Sequence, residues 1–587
     1  MALVHIDIQI QKRDRPLKIK MTGSEALVEA LRMESVKTIF GIVGSAFMDP
    51  LDIFARADIR FIQVRHEQNA ALMAEGYSRA TGAPGVCIGQ NGPGVTNLVT
   101  GVASALLNHT PMVVITPSVT TGAAGTCSFQ EIDQMRLMEP IVVWQRQVNQ
   151  AERMADAVRG AFRAAIALRG PAQIDIPRDL YYGVFEGEVL PRERYRVDDL
   201  NSRATESSIN DAIKILKNAK RPMILAGLGA VSTRAHKAIG ELADTLCAPV
   251  ACVWQHNDAF PANHPWFAGV IGYQSSEAAM RLLSESDCVI ALGTRLNTFG
   301  TNPQYGFDFY PGDAKLIQNS INPLEIGALR PVDVGLVGEC GEVAEQLSAA
   351  VAKASVGADR KLCMSRLQEE KKKWESKLED MSDVDAEVIH PRRALNEIRK
   401  ALPADTSIVV DVGNVSGTGN GYFTFDKPGR WFGHGSLGGI GVGFSTGLGV
   451  KMAKPDEPVL CLVGDGAWSM TLQEVMTAVD ENINLVTVIF DNSQYGAEKR
   501  NQYDFYDNRF FWTDLKNPDF VAIAEQMGAL GIRVTRAQDI APALSKAFSE
   551  RKPVVIGITV DSAVLSEPYR RDALKPPVRI MQRYRND

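Results

Sequence analysis

The chain has no apolar run approaching the roughly 18–20 residues that a membrane-spanning helix needs. Its opening, MALVHIDIQIQKRDRPLKIK, alternates apolar and polar residues and lacks the unbroken apolar core of a secretory signal. A strand-like extension over residues 1–20, a cytoplasmic location and no membrane contact are the expectations. No CxxC pair occurs among the eight cysteines, at 87, 127, 247, 252, 288, 340, 363 and 461. That removes the common zinc and redox spacings and leaves buried free thiols in a reducing compartment. A basic surplus is also missing: the net charge is −6, which gives no reason to expect a nucleic-acid partner.

What is present is the composition of a globular protein, 45% hydrophobic and 22% charged, on 587 residues. At roughly 100–200 residues per domain, that length predicts about three or four domains. Short β-branched runs alternate with helical patterns, which argues for parallel sheets covered by helices. In the first block TIFGIV, GVCIGQ, MVVITP and AQIDIP read as strands, and Thr22 with Glu25 reads as a capping box opening a helix. The polar stretch FEGEVLPRERYRVDDLNSRATESS reads as a linker. PMILAG, PVACVW, CVIALG and AKLIQNS are strands of a second block. The charged segment 356–389 reads as a solvated connecting helix. SIVVDVG, PVLCLVG, LVTVIF and PVVIGITV are strands of a third block. The expected fold is α/β, three doubly wound parallel-sheet domains at 21–190, 205–355 and 390–587.

VGDGAWSM, at 463–470, carries the first chemistry. An apolar strand runs into Gly464-Asp465-Gly466, a turn fit for phosphate, yet no lysine follows to meet it. Asp465 then has two readings, a cap on the next helix or a metal ligand. Asn492 ends the next strand, 27 residues on, about one strand-helix-strand step. In a parallel sheet that step puts both side chains at the edge where ligands bind. One carboxylate and one amide suit Mg²⁺, which completes its shell with water and ligand phosphates.

The pattern GDGAWSMTLQEVMTAVDENINLVTVIFDN resembles the metal motif of thiamine-diphosphate (ThDP) enzymes of the acetolactate synthase superfamily. VRHEQNAALMAEGYSRATG, GQNGPGVTN, FQE and GGIGVGF resemble further motifs of that family, in its order. The resemblance implies pyrimidine-binding, central and diphosphate-binding domains, with ThDP and Mg²⁺ as cofactors. It implies Asp465, Asn492 and the Gln494 carbonyl as metal ligands. Glu67 would bond N1′ of the aminopyrimidine. Gly92, Pro93, Asn97, Asn414, Gly438, Ile440, Gly464, Gly466, Ala467 and Gly496 would line the cofactor, Ile440 as the apolar wedge that bends it. Gln130 would sit on a loop reaching the active site. His109 has two readings, a proton relay or a histidine satisfied by structural hydrogen bonds. A homodimer or homotetramer with the site shared between subunits is implied.

Outside those motifs, HNDAFPANHPWFAGVIGYQ, QYGAEKRNQYDFY and the tail EPYRRDALKPPVR resemble the sulfoacetaldehyde acetyltransferases within that superfamily. This implies sulfoacetaldehyde and inorganic phosphate as substrates, sulfite and acetyl phosphate as products. Anionic substrates call for cations, and Lys499, Arg500, Arg570 and Arg571 are the candidates. An acetolactate-synthase-like decarboxylase or carboligase is the alternative, and a flavin-containing oxidase a more distant one. GTRLNTFG holds no flavin fingerprint, so FAD is not expected.

Overall fold

The computed structural model describes residues 18–196, 201–301, 303–306, 310–567 and 575–585. Among the described residues the fold is built on three six-stranded parallel sheets with flanking helices, beside one two-stranded antiparallel pair. It forms two compact units, one holding the first sheet and the other the second and third.

The first sheet runs in spatial order Arg60–Gln63, Thr38–Gly41, Gly85–Ile88, Met112–Ser118, Pro171–Pro177, Trp144–Gln147. Numbered along the chain within the sheet, that order is 2-1-3-4-6-5. Its inner strands are buried throughout, as parallel strands covered on both faces must be. The predicted capping box is formed: Thr22 N donates to Glu25 Oε2 at 2.7 Å, and Glu25 N to Thr22 Oγ1 at 3.2 Å. The stretch read as a linker is partly structured, because Val184–Gly187 pairs antiparallel with Ile19–Thr22.

In the other unit the second sheet runs Phe267–Val270, Val250–Cys252, Pro222–Ala226, Cys288–Leu292, Lys315–Ser320, Val334–Val337. This is the 3-2-1-4-5-6 order of dinucleotide folds, although an order alone assigns no ligand. The helix Arg360–Ser382 stands where a connecting helix was expected, but it is not simply solvated. Cys363, Leu367, Trp374 and Leu378 bury one stripe of it. Glu370, on the same stripe, is buried against Arg366, Lys373 and Arg281.

The third sheet runs Trp431–Phe432, Ser407–Val410, Val459–Gly464, Val486–Asp491, Val554–Thr559, Leu530–Val534. Its order is again 2-1-3-4-6-5. The direction of winding reverses between Ser407–Val410 and Val459–Gly464, and such a reversal opens a crevice at the carboxyl ends of the strands. Seven of the eight cysteines are buried and all eight are free; Cys127 is the exposed one. Among the described residues no helix is long and apolar enough to cross a membrane.

Candidate active site

In the first unit Glu67 opens the helix Glu67–Thr81 and is only 7% exposed. Its Oε2 accepts a hydrogen bond from Asn97 Nδ2 at 2.9 Å. Asn97 lies on the helix Pro93–Leu107, whose first residue is a proline with no N–H to leave unpaired. The preceding Gly92 has φ +69°, and a Cβ there would stand 2.4 Å from the Gln130 carbonyl oxygen, so glycine is required on two counts. The turn and the FQE loop are tied together. Gln90 Nε2 donates to Gln130 Oε1 at 3.0 Å, and Asn91 Nδ2 to the Gln130 carbonyl at 3.3 Å. Beneath them Asp175 is fully buried and accepts from Thr116, Ser118, Gln134 and Gln147, which fixes the base of the loop.

Glu67, Gly92, Pro93, Asn97 and Gln130 therefore gather at one end of the helix Pro93–Leu107. His109 does not join them: it follows the other end of that helix. At about 1.5 Å per residue, some 15 Å of helix separates it from Asn97.

In the other unit a cavity of about 860 Å³ opens at the winding reversal of the third sheet. Asn414, Gly438, Ile440, Gly464, Asp465, Gly466, Ala467, Asn492, Gln494 and Gly496 all line it. The adjacent strands pair Gly464 with Phe490, so Asp465 and Asp491 leave the sheet side by side and Asn492 follows one residue later. Asp465 is 2% exposed and does not cap the next helix, since Gly464 is at the cap position and makes no side-chain bond. Its Oδ1 accepts from the Gly466 N–H at 2.9 Å. Asn517 Nδ2 donates to Asp465 Oδ2 at 2.7 Å and to Asp491 Oδ1 at 2.9 Å. Burial lifts the Asp465 carboxyl to about 6; the Asn517 bond pulls down and the Asp491 charge pushes up. No group of three or more His, Cys, Asp or Glu side chains forms a metal cage among the described residues. One buried carboxylate with two amide-bearing residues beside it suits a cation that keeps water and phosphate ligands.

The loop bearing Gly438 and Ile440 is held by Asp411, at the end of its own buried strand. Its carboxylate accepts from the N–H groups of Val412 at 2.7 Å, Gly441 at 3.0 Å and Gly443 at 2.6 Å. Burial still dominates over these three donors and pushes the Asp411 carboxyl up to about 6. His434, earlier in the same segment, is buried and lines the cavity. Burial lowers it to about 4, so it is neutral near pH 7. Its Nδ1 faces the Gly435 carbonyl at 3.0 Å, which assigns the proton there and leaves Nε2 to accept from Gln255 at 2.7 Å.

Of the predicted substrate cations, Lys499 pairs with Asp514 at 2.6 Å and Arg500 with Asp504 at 3.0 Å; neither lines the cavity. Arg570 and Arg571 lie outside the described residues. Sequence reasoning missed Asp411, Asn517 and His434. Asp411 had a signal, an acid closing an apolar run as Asp465 does; Asn517, in a polar loop, had none.

Three family models match the chain in order. They are the thiamine pyrophosphate enzyme N-terminal TPP binding domain over residues 21–137, its central domain over 209–347, and its C-terminal TPP binding domain over 411–558. The sulfoacetaldehyde acetyltransferase of Alcaligenes xylosoxydans xylosoxydans is 42% identical, with 97% of each chain covered. That of Castellaniella defragrans is 41% identical, over 97% of this chain and 98% of its own. A probable acetolactate synthase large subunit of Methanococcus aeolicus is 34% identical over 93% of each chain. With near-complete coverage at these identities and all three domains matched in sequence, the chain belongs to the thiamine pyrophosphate enzyme family.

Proposed function

We propose that this protein is a ThDP- and Mg²⁺-dependent enzyme that cleaves sulfoacetaldehyde, passing the acetyl group to inorganic phosphate and releasing sulfite. The observation that carries the reading is the pair of relatives bearing the sulfoacetaldehyde acetyltransferase name at 42% and 41% identity over nearly the whole chain. The acetolactate synthase relative stands further off at 34%.

In this reading Asp465, Asn492 and the Gln494 carbonyl would hold Mg²⁺, which would supply the positive charge for diphosphate that a lysine supplies elsewhere. The glycines at 464 and 466 let backbone N–H groups approach the phosphates. Gly438 and Ile440 cradle the aminopyrimidine, on a loop that Asp411 keeps in place. Glu67 holds a proton at N1′, positioned by Asn97. The bound cofactor supplies the carbanion and the electron sink; the protein binds, orients and excludes water. A homodimer or homotetramer in a cytoplasmic setting completes the reading.

The test is phosphate-dependent sulfite release from sulfoacetaldehyde by purified protein loaded with ThDP and Mg²⁺, with acetyl phosphate as co-product. Consumption of pyruvate without sulfite release would replace this reading with an acetolactate-synthase type.

A further inference from the structure

Among the described residues Arg392 is the only lysine or arginine in the wall of the cavity that contains Asp465 and Asn492. It is the second residue of the helix Pro391–Ala401, and its backbone N–H donates to His390 Nδ1 at 3.2 Å. Among the described residues its guanidinium is held from one side only. Nη2 donates to Gln274 Oε1 at 3.1 Å, and the same oxygen accepts from Thr418 Oγ1 at 2.9 Å. Gln274 is 2% exposed, and its Nε2 has no hydrogen-bond partner among the described residues.

This is a positioned cation with no ion-pair partner among the described residues. A guanidinium has five N–H donors, and a neutral amide oxygen uses one here. Arg392 is half-buried and makes no ion pair among the described residues. The acidic residues lining the same cavity, Asp465, Glu498 and Glu567, do not pair with it. Partial burial of an unneutralised cation is unfavourable unless an anion joins it. An arginine pre-oriented by a neutral partner is the arrangement that recognises a planar or tetrahedral oxyanion through parallel N–H bonds.

We propose that Arg392, held by Gln274 and Thr418, is the oxyanion-recognising group of this cavity, binding the tetrahedral head common to inorganic phosphate and a sulfonate. The inference rests on the reading that this cavity receives the substrates. It replaces Lys499 and Arg500, which are spent on Asp514 and Asp504.

The experiment is calorimetric titration of the ThDP- and Mg²⁺-loaded enzyme with inorganic phosphate and, separately, with ethanesulfonate as an unreactive sulfonate. Wild type, Arg392→Gln and Arg392→Lys are compared. Arg392→Gln is expected to weaken the bound anion by about 10- to 100-fold, the scale of a lost charge-assisted bond, with Arg392→Lys intermediate. ThDP affinity should be unchanged in both. Loss confined to phosphate assigns Arg392 to the acyl acceptor, and loss confined to ethanesulfonate assigns it to the aldehyde's sulfonate. Unchanged affinity for both anions, no anion binding by wild type, or a loss in ThDP affinity alone overturns the proposal. If Arg392→Gln does not fold, Gln274→Glu sets a carboxylate against the guanidinium and should give the same loss. Sulfite release with anion affinities indifferent to Arg392 sinks the subsite and leaves the reaction standing. Arg392-dependent anion binding without sulfite release does the reverse.

Discussion

Asn97 and Glu67 come from different helices, and the amide of one donates to the carboxylate of the other across 2.9 Å. The bond occupies Oε2 and fixes the carboxyl orientation, leaving Oε1 for a second partner. Glu67→Gln should therefore keep the fold and the bound cofactor while turnover falls by about 100- to 10,000-fold, the range a positioned acid–base group contributes. Cofactor affinity from calorimetry, set beside sulfite release, checks both halves. Unchanged turnover would remove Glu67 from the proposed chemistry.

Asn517 bridges two carboxyls, at 2.7 Å to Asp465 and 2.9 Å to Asp491. Replacing it by alanine leaves two acids side by side at the sheet edge with nothing between them. The metal-free protein should lose about 1–3 kcal/mol, the cost of leaving the buried Asp465 Oδ2 without its donor. A cation bound at Asp465 would screen the pair, so Mg²⁺ should raise the melting temperature of Asn517→Ala more than that of wild type. Melts in chelator and in excess Mg²⁺ measure this; an equal gain in both proteins would argue against a metal at Asp465.

How much of this could be read from the sequence follows sheet position. Every inner strand, from Thr38–Gly41 to Val554–Thr559, was read as a strand, most of them as short apolar runs of the kind that parallel strands covered on both faces favour; Pro171–Pro177 and Lys315–Ser320 bury polar residues as well. The six edge strands went unread. RFIQ at Arg60–Gln63 and WQRQ at Trp144–Gln147 break the apolar pattern with polar residues, and WF at Trp431–Phe432 is too short to show a period. The site divides similarly. Asp465 and Asn492, which both line the cavity, could be placed at one sheet edge from their spacing, while the metal-ligand reading came from the family resemblance. Asn517 and Arg392 reach the site only through tertiary packing, which no local pattern records.

Gly464 and Gly466 flank the same aspartate but answer to different constraints. A Cβ on Gly466 would stand 2.5 Å from Tyr495 Cε1, whereas among the described residues nothing lies within 4 Å of one on Gly464, whose φ of −80° any residue adopts. Gly466→Ala should displace the Tyr495 ring and cost about 1–3 kcal/mol in the cofactor-free protein, as overpacking does. Gly464→Ala should leave that stability unchanged. Denaturant unfolding of the two variants decides it, and equal losses would show that the close approach to Tyr495 is not what demands glycine at 466.

His434 and Asp411 hold the same loop and respond to acid in opposite senses. Burial depresses His434 from 6.5 to about 4, so its neutral form is the one that fits. Its contribution to stability is complete above pH 6.5 and is lost as the pH falls toward 4, because the unfolded imidazole takes up a proton while the folded one resists. Burial raises Asp411 from 3.8 to about 6, so the folded state holds that proton more tightly, and acidification through the same window favours folding. The two partly cancel in wild type, and a variant is needed to separate them. His434→Gln removes one titration while a side-chain amide can still accept from Gln255. Wild type should therefore lose stability relative to His434→Gln between pH 6.5 and 4, by up to about 3 kcal/mol at 1.36 kcal/mol per pKa unit. Urea unfolding of both proteins across that range gives the difference directly. Parallel curves would mean that His434 titrates as it does in the unfolded chain, and that its neutral hydrogen bond to Gln255 does not hold the loop.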